Sequence, residues 1–242
     1  MNYEIVLATN NKHKLQEVRA FLAPHKIVVY GLNDLNLKPE EVEENGKNYY
    51  ENALLKAQSV AKLVDLPIIA DDSGLEIEAL NNEPGLHSAR YAESLGGHEN
   101  AFKEIFKRLE GKDNRKARFV CDIVLVNETD KPLLFEGIAP GEIKESPSGQ
   151  GGFGYDPIFY SYEANKRFSE LTQEEKNKVS HRGKALLKLL TYLRISHQSI
   201  KWRRFDSWIL QTINIIREVM KTTPHARAVI RTYNLYSSGA KK

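Results

Sequence analysis

The sequence predicts an α/β fold of the mixed, α+β kind, in which helices flank a central mixed sheet. Over residues 1–194, short strand-like runs alternate with segments whose apolar residues recur at helical spacing. The chain has 242 residues and 41% of them are hydrophobic, which is enough to bury a sizeable core. We therefore expect one domain over residues 1–194 and an appendage of different composition over residues 195–242.

The first half of this domain is expected to contain three strands and two helices. Residues 3–8 favour a strand, and the apolar spacing of residues 15–22 predicts a helix. A second helix is predicted over residues 49–64. The strand-like runs 67–71 and 75–80 are expected to flank a turn formed by the sequence Asp-Asp-Ser-Gly, because these residue types favour turns.

The second half is predicted to contain a hairpin, a loop and further helices. Residues 99–110 show helical spacing, and residues 117–126 and 132–143 read as two strands of a hairpin. The glycine-rich stretch 146–157 predicts a loop. The sequence LTQEEK that follows contains a capping box, with Thr and Glu three positions apart, and predicts a helix start.

Composition restricts the class of protein. No apolar run approaches the ~20 residues that cross a bilayer, and the N-terminal sequence lacks the pattern of a signal peptide. We therefore expect a soluble, cytoplasmic protein. Cys121 is the single cysteine, which excludes an internal disulfide, and its strand-like surroundings predict a buried thiol.

The C-terminal 48 residues differ in charge from the rest of the chain. Residues 195–242 hold nine Lys or Arg and two acidic residues, a net charge of +7, whereas residues 1–194 carry −4. Apolar residues between Trp208 and Val219 are spaced for an amphipathic helix. One interpretation is a helix packed on the domain or on a dimer surface. The alternative is a basic contact to nucleic acid or to an anionic membrane.

The first chemistry-bearing motif is ATNNKHK, which follows the first strand. Asn10 or Asn11 can cap the next helix, whose first turn then carries Lys12, His13 and Lys14. These residues have the wrong charge, because the N-terminus of a helix favours anions. A bound phosphate would resolve the mismatch, and a solvated basic turn is the alternative.

The motif SHRGK repeats this feature at a second helix start. Ser180 is expected to cap the helix, and His181 and Arg182 follow it directly. The planar guanidinium of an arginine holds a phosphate or a base edge. Asn52 and Lys56 lie one turn apart on the second predicted helix and are candidates for the same phosphate-binding surface, although a solvated lysine is the alternative for Lys56.

Adjacent carboxylates supply the third feature. Asp71 and Asp72 end an apolar run, and Glu43 and Glu44 lie in the sequence EENG. Carboxylates near phosphate are the usual setting of Mg²⁺. Because neighbouring side chains in a strand point to opposite faces, only one of the two aspartates is expected in the site, and the other is expected to bond to backbone. A simple turn between strands is the alternative.

The fourth feature is the loop GGFGYDP. Its glycines allow close approach to a ligand, and Phe153 or Tyr155 offers a ring that can stack on a base. Asp156 is a candidate acceptor for ring N–H groups. An ordinary glycine-rich turn with a core aromatic residue is the alternative.

In this order, the motifs resemble those of the inosine/xanthosine triphosphate pyrophosphatase family. The resemblance covers residues 3–194 and is carried by LATNNKHKLQEV, EENG, ENALLKA, ADDSGLEIEAL, PGLHSARY, GGFGYDPIF and LTQEEKNKVSHRGKAL. It implies a central twisted mixed sheet flanked by helices, with a substrate cleft between two lobes. It also implies Mg²⁺-dependent hydrolysis of ITP, dITP or XTP to the monophosphate and pyrophosphate, and a homodimer.

The resemblance also implies a role for individual residues. Glu44 and Asp72 would bind Mg²⁺, Asp72 would act as the general base, and Lys56 would support catalysis. Substrate would be bound by Thr9, Asn10, Asn11, Lys12, His13, Lys14, Ser73, Phe153, Gly154, Tyr155, Asp156, Lys176, His181 and Arg182.

Within that set, Lys176, His181 and Arg182 would read the 6-oxo edge of the purine. Hypoxanthine and xanthine present an acceptor at position 6, where adenine presents a donor, so cationic donors select against adenine. Guanine shares the 6-oxo group, and a pocket without a partner for its 2-amino group would exclude it. One departure from the family pattern is Asn10, which replaces the usual glycine of the first loop; asparagine tolerates positive φ better than most residues.

Two other functions remain open from the sequence. The first is a non-catalytic nucleotide-binding or nucleic-acid-binding protein that works through the basic residues 195–242. The second is a related pyrophosphatase that acts on modified pyrimidines.

Overall fold

The computed structural model describes residues 3–196, and the chain divides into two units after Leu190. Within the described part, the first unit holds an eight-stranded sheet. Its strands are β1 (Tyr3–Leu7), β2 (Ile27–Gly31), β3 (Ile68–Ile77), β4 (Glu83–Pro84), β5 (Lys116–Val126), β6 (Leu133–Ile143), β7 (Phe159–Ser161) and β8 (Lys166–Arg167).

Helices of the first unit connect and cover these strands. They are α1 (Lys12–Leu22), α2 (Tyr49–Ala61), α3 (Ser88–Ser94), α4 (His98–Arg108), α5 (Gln173–Val179) and α6, over residues 181–190. In the second unit, residues 191–196 are also helical. The amphipathic helix predicted near Trp208 lies outside the described residues. None of the helices within residues 3–196 is long and apolar enough to cross a membrane.

The sheet is mixed, as predicted. Its strand order is β2-β1-β3-β5-β6-β7-β8, and β4 pairs with β3. β1 runs parallel to β2 and β3, whereas the β3–β5, β5–β6, β6–β7 and β7–β8 pairs are antiparallel. The predicted hairpin between β5 and β6 is therefore confirmed, and β3 lies at the junction of the parallel and antiparallel parts.

The predicted turn at Asp-Asp-Ser-Gly is wrong. β3 runs unbroken from Ile68 to Ile77, and all four of these residues pair with β5. Gly74 is needed for close packing rather than for a turn, because a Cβ there would lie 2.1 Å from the carbonyl oxygen of Gly85. The second strand-like run also ends early, since residues 78–80 form a short 3-10 helix.

Two apolar clusters lie at the two ends of β3. One contains Ile68 and Ala70 together with the buried face of α2. The other contains Leu75 and Ile77 together with buried residues of α4. The polar residues between Ala70 and Leu75 therefore lie between two apolar clusters.

Most helix starts follow the sequence signals. Asn11 caps α1 by accepting hydrogen bonds from the backbone N–H groups of His13 and Lys14, and the Thr172–Glu175 capping box opens α5. Ser180 caps α6 by accepting from the backbone N–H of Gly183. The second predicted helix ends at Ala61 rather than at residue 64, and α3 was not predicted.

Candidate active site

The central part of β3 borders a cavity of about 970 Å³. Most of the predicted site residues line it: Thr9, Asn10, Asn11, Lys14, Glu44, Lys56, Asp72, Ser73, Phe153, Gly154, Tyr155, Asp156, Lys176, His181 and Arg182. Lys12 and His13 lie outside the lining, and His13 instead stacks on Phe153 with ring centroids 5.4 Å apart. Residues that are distant in sequence therefore share one cavity.

Asp72 is held at the cavity by helix α2. Its two carboxylate oxygens accept hydrogen bonds from the Lys56 ammonium at 3.0 Å and from the Asn52 amide at 3.2 Å. Burial raises the pKa of Asp72, and the charge of Lys56 opposes that effect. The carboxylate is thus a stronger base than a solvated aspartate and is held in a fixed orientation.

Glu44 lies beside this pair. Its Oε1 is 3.4 Å from the Lys56 ammonium, which also contacts Asp72. Two carboxylates therefore converge on one cation, which is the donor chemistry that Mg²⁺ uses together with phosphate oxygens and water. Glu43, the other candidate, is exposed and does not line the cavity. Residues 3–196 contain no group of three or more His, Cys, Asp or Glu side chains arranged to hold a metal ion.

The expectation that Asp71 bonds to backbone is wrong, because its carboxylate contacts two cationic side chains. Its Oδ2 accepts hydrogen bonds from Nε and Nη2 of Arg182, at 3.1 and 3.0 Å, and lies 3.0 Å from the Lys14 ammonium. Burial opposes ionisation of Asp71, but the charges of Lys14 and Arg182 outweigh it and hold the pKa of the carboxyl well below its usual range. Asp71 thus links two predicted substrate-binding cations.

Glu17 connects the two cations at the other end of the cavity. It accepts hydrogen bonds from the Lys176 ammonium at 2.9 Å and from Nη1 of Arg182 at 2.5 Å. Lys176 also donates to Asp156 at 2.6 Å. Burial opposes the charge on Lys176, yet Asp156 and Glu17 raise the pKa of this lysine above its ordinary value. Both cations are therefore charged and fixed before any ligand binds.

The loop after β6 places an aromatic ring over these cations. Phe153 lies 4.8 Å from the Lys176 ammonium and 5.6 Å from the Arg182 guanidinium carbon, measured to the ring centroid. Asp156 accepts the backbone N–H of Phe153 at 2.8 Å and so fixes the loop. Tyr155 is buried, and its hydroxyl donates to the carbonyl of Ser88, which leaves Phe153 as the ring better placed to contact a base.

His181 is buried and stacks on Phe119, with ring centroids 4.6 Å apart. Burial and the nearby charges of Arg182 and Lys176 lower its pKa well below the ordinary value, so the imidazole is neutral. Its Nδ1 has no hydrogen-bond partner among the described residues. A neutral imidazole with a free nitrogen can donate to or accept from a ligand.

Asn10 stands in the first loop at the position where the family resemblance leads us to expect glycine. This residue is not among those that adopt positive φ, so the position does not require glycine. Thr9 Oγ1 accepts the backbone N–H of Asn11 at 3.1 Å, which orders the loop before α1. The N-terminus of α1 and the Lys14 side chain therefore lie together at the cavity.

Several contributing residues were missed or misread from the sequence. Asn52 is fully buried and bonds both Asp72 and the backbone N–H of Gly46, so it supports the site rather than presenting a phosphate-binding surface. Glu17 was not singled out from the sequence, although its place one turn after Lys14 is the signal that could have identified it. Cys121 is buried as predicted, and burial raises the pKa of its thiol.

This arrangement defines a class of protein: one whose cavity is lined by carboxylates that share a lysine and by buried, ion-paired cations next to an aromatic ring. The Ham1 family matches residues 5–192, and the chain belongs to this family.

Curated relatives and solved structures agree with that membership. The dITP/XTP pyrophosphatase of Thermus thermophilus is 47% identical over 189 residues, 77% of this chain and 90% of that protein. The enzyme of the same name from Thermoanaerobacter pseudethanolicus is 44% identical over 192 residues, 78% of this chain and 96% of that one. The Ham1 protein of Staphylococcus aureus superposes with a TM-score of 0.71 at 38% identity, covering 80% of this chain and 99% of that chain.

Proposed function

We propose that this protein is a nucleoside-triphosphate pyrophosphatase that hydrolyses dITP, XTP and ITP to the monophosphate and pyrophosphate. One observation carries the proposal: a single cavity contains Asp72 with Lys56 and Glu44 at one end and Lys176 with Arg182 at the other. The names of the curated relatives, dITP/XTP pyrophosphatases, support the same activity.

In this mechanism, Asp72 accepts a proton from water while the water oxygen bonds to phosphorus. The bridging P–O bond between the α- and β-phosphates breaks, so that one water is consumed for each monophosphate and pyrophosphate formed. The raised pKa of Asp72 makes it a better general base, and Lys56 and Asn52 fix the direction in which it accepts the proton.

Glu44 and Asp72 are the residues that would hold Mg²⁺. When bound, the ion would neutralise phosphate charge and lower the cost of charge development in the transition state. Lys14 and the N-terminus of α1 provide further positive potential for the phosphates.

Base selection follows from the fixed cations at the other end. Lys176 and Arg182 are ion-paired but retain further N–H groups, and Phe153 lies over both. A 6-oxo purine satisfies these donors, whereas adenine places an amino donor against them. Homodimerisation and a cytoplasmic location belong to the same proposal.

Pyrophosphate release from dITP, ITP, XTP, ATP, GTP, dUTP and dTTP with Mg²⁺ tests the proposal. We expect release from dITP, ITP and XTP to exceed that from ATP and GTP by at least about a hundredfold in kcat/KM. Asp72→Asn should lower kcat about a thousandfold, because both the base and a metal ligand are lost. Asp65→Asn, an exposed aspartate outside the cavity, is the matched control.

Three results would contradict parts of the proposal. Equal release from all nucleotides would rule out base selection by Lys176 and Arg182. Preference for dUTP or dTTP would identify a pyrimidine enzyme instead. No release from the full chain would support a non-catalytic nucleotide-binding protein.

A further inference from the structure

The cavity contains one cation that the proposed mechanism does not use. Four lysine or arginine side chains of the lining each lie within 3.4 Å of a protein carboxylate: Lys14, Lys56, Lys176 and Arg182. Arg90 also lines the cavity, but no carboxylate of residues 3–196 forms an ion pair with it. Its charge is therefore not neutralised by the described part of the protein.

Arg90 lies on α3 and reaches the loop that carries Glu44. Its Nη2 donates to the backbone carbonyl of Glu44 at 3.0 Å. The Glu44 side chain contacts Lys56, which in turn contacts Asp72, so the guanidinium borders the proposed metal end of the cavity. The base-reading cations Lys176 and Arg182 belong to a different set of contacts, through Glu17.

The Arg90 guanidinium has further N–H donors besides the one that contacts Glu44. Arginine carries five N–H groups, and the contact with Glu44 uses one of them. Arg90 is exposed and is therefore accessible to a ligand from the cavity. A planar fork of N–H donors matches two oxygens of a phosphate group, and this pairing is stronger than one between neutral groups.

We propose that Arg90 binds the β- and γ-phosphates of the substrate and the pyrophosphate product. The chemistry that it recognises is a pyrophosphate group next to the metal-binding carboxylates, and the bond to the Glu44 carbonyl holds its guanidinium in place. This inference rests on the proposed pyrophosphatase function.

Calorimetric titration of the full chain with inorganic pyrophosphate, in Mg²⁺, tests this inference without catalysis. Arg90→Gln should raise the Kd of pyrophosphate about tenfold to a hundredfold, and Arg90→Lys, which keeps the charge but loses the fork, should raise it less. The Kd of inosine monophosphate, which lacks the β- and γ-phosphates, should stay unchanged. Arg118→Gln, an exposed arginine outside the cavity, should bind both ligands like the wild type.

Two outcomes would overturn the inference. An unchanged pyrophosphate Kd in Arg90→Gln would show that the arginine only contacts the Glu44 loop. A weakened Kd that returns to the wild-type value at saturating Mg²⁺ would show that Arg90 acts only by positioning the metal-binding loop. If the wild type releases no pyrophosphate from dITP or XTP, the proposed function fails instead, so the two failures are distinguishable. Thermal unfolding of each variant serves as the control for folding.

Discussion

The two ends of the cavity differ in how their charges are balanced. At the proposed base end, Asp71, Arg182, Glu17, Lys176 and Asp156 form a chain of alternating charges, each in contact with the next. Lys14, which is proposed to face the phosphates, contacts the first member of this chain, Asp71. At the metal end, Glu44 and Asp72 share the single ammonium of Lys56, and Asp122 pairs in register with Asp72 across the β3–β5 ladder. The carboxylates of Glu44 and Asp72 therefore outnumber the lysine that they share.

This difference indicates how each end meets its ligand. The charges of the proposed base end are paired before a ligand arrives. The residues that carry them are between 2% and 8% exposed: Glu17, Asp71, Asp156, Lys176 and Arg182. Such preformed donors select a base by shape and polarity. The metal end presents two carboxylates that share one lysine, and carboxylates are ligands that a divalent cation uses. Each half of this comparison predicts a different response to mutation, pH and metal.

The largest expected effect comes from breaking the base end at Asp71. Asp71→Asn should lower the free energy of unfolding by about 3–5 kcal/mol, because it leaves two cations without their shared carboxylate. The loss should be constant between pH 5 and 8, because Asp71 is ionised above about pH 5 both in the folded protein, where its pKa is lowered, and in the unfolded chain, where its pKa is ordinary. Urea unfolding across this pH range measures it.

An exposed ion pair provides the control for Asp71. Glu174→Gln removes a carboxylate that is 82% exposed and pairs with Lys178 on the same helix. Its effect on the free energy of unfolding should be far smaller than that of Asp71→Asn, because solvent screens an exposed pair. A loss of similar size in both variants would show that the buried ion pairs of Asp71 contribute no more to stability than a surface ion pair does.

A smaller effect on stability, opposite in sign, is expected from substitution of Asp122, which pairs in register with Asp72. Burial, Glu136 and Asp72 raise its pKa to about 6, so the folded protein holds a proton there that the unfolded chain has released. Stability is therefore lost as pH rises from about 4 to about 6. Asp122→Asn removes this loss and should be more stable than the wild type by about 1–2 kcal/mol at pH 7, because solvent partly screens the charge, with no gain below about pH 4.

Urea unfolding in a metal chelator, from pH 4 to pH 8, measures the Asp122 effect. Asp65→Asn, at an exposed position, should show no pH-dependent gain. A gain in Asp122→Asn that is the same at pH 4 and pH 7 would mean that Asp122 carries no excess charge in the folded protein.

The smallest effect is stabilisation by Mg²⁺ without nucleotide. At ten times its Kd, a metal ion that binds only the folded protein adds about 1.4 kcal/mol of stability. Glu44→Gln should abolish this gain, whereas Glu43→Gln, whose side chain is exposed outside the cavity, should retain it. Thermal unfolding with and without Mg²⁺ provides the measurement, and an equal response in both variants would remove Glu44 from the metal site.

Local sequence patterns correctly predicted the features that depend on neighbouring residues alone. Asn11 and Thr172 cap helices because their side chains accept nearby backbone N–H groups, and both were predicted. The β5–β6 hairpin followed from two long strand-like runs. Most residues that the family resemblance places in the site do line one cavity, although their chemical roles stay predictions.

Local sequence patterns did not predict the features that depend on contacts between distant segments of the chain. The turn at Asp-Asp-Ser-Gly was a reasonable inference from composition, yet Gly74 is required by the backbone of Gly85, which no local pattern reveals. Asp71 and Glu17 are partners of Arg182 across more than a hundred residues of sequence. Pairings of that kind depend on the folded sheet.

The unbroken course of β3 has a consequence for how the site tolerates insertions. Because successive side chains leave a strand on opposite sides, the neighbours Asp71 and Asp72 contact different cations, Arg182 and Lys56 respectively. A one-residue insertion or deletion between Ile68 and Asp71 would exchange their sides and send each carboxylate to the wrong partners. The spacing of this strand, and not only its two aspartates, is therefore part of what the active site must preserve.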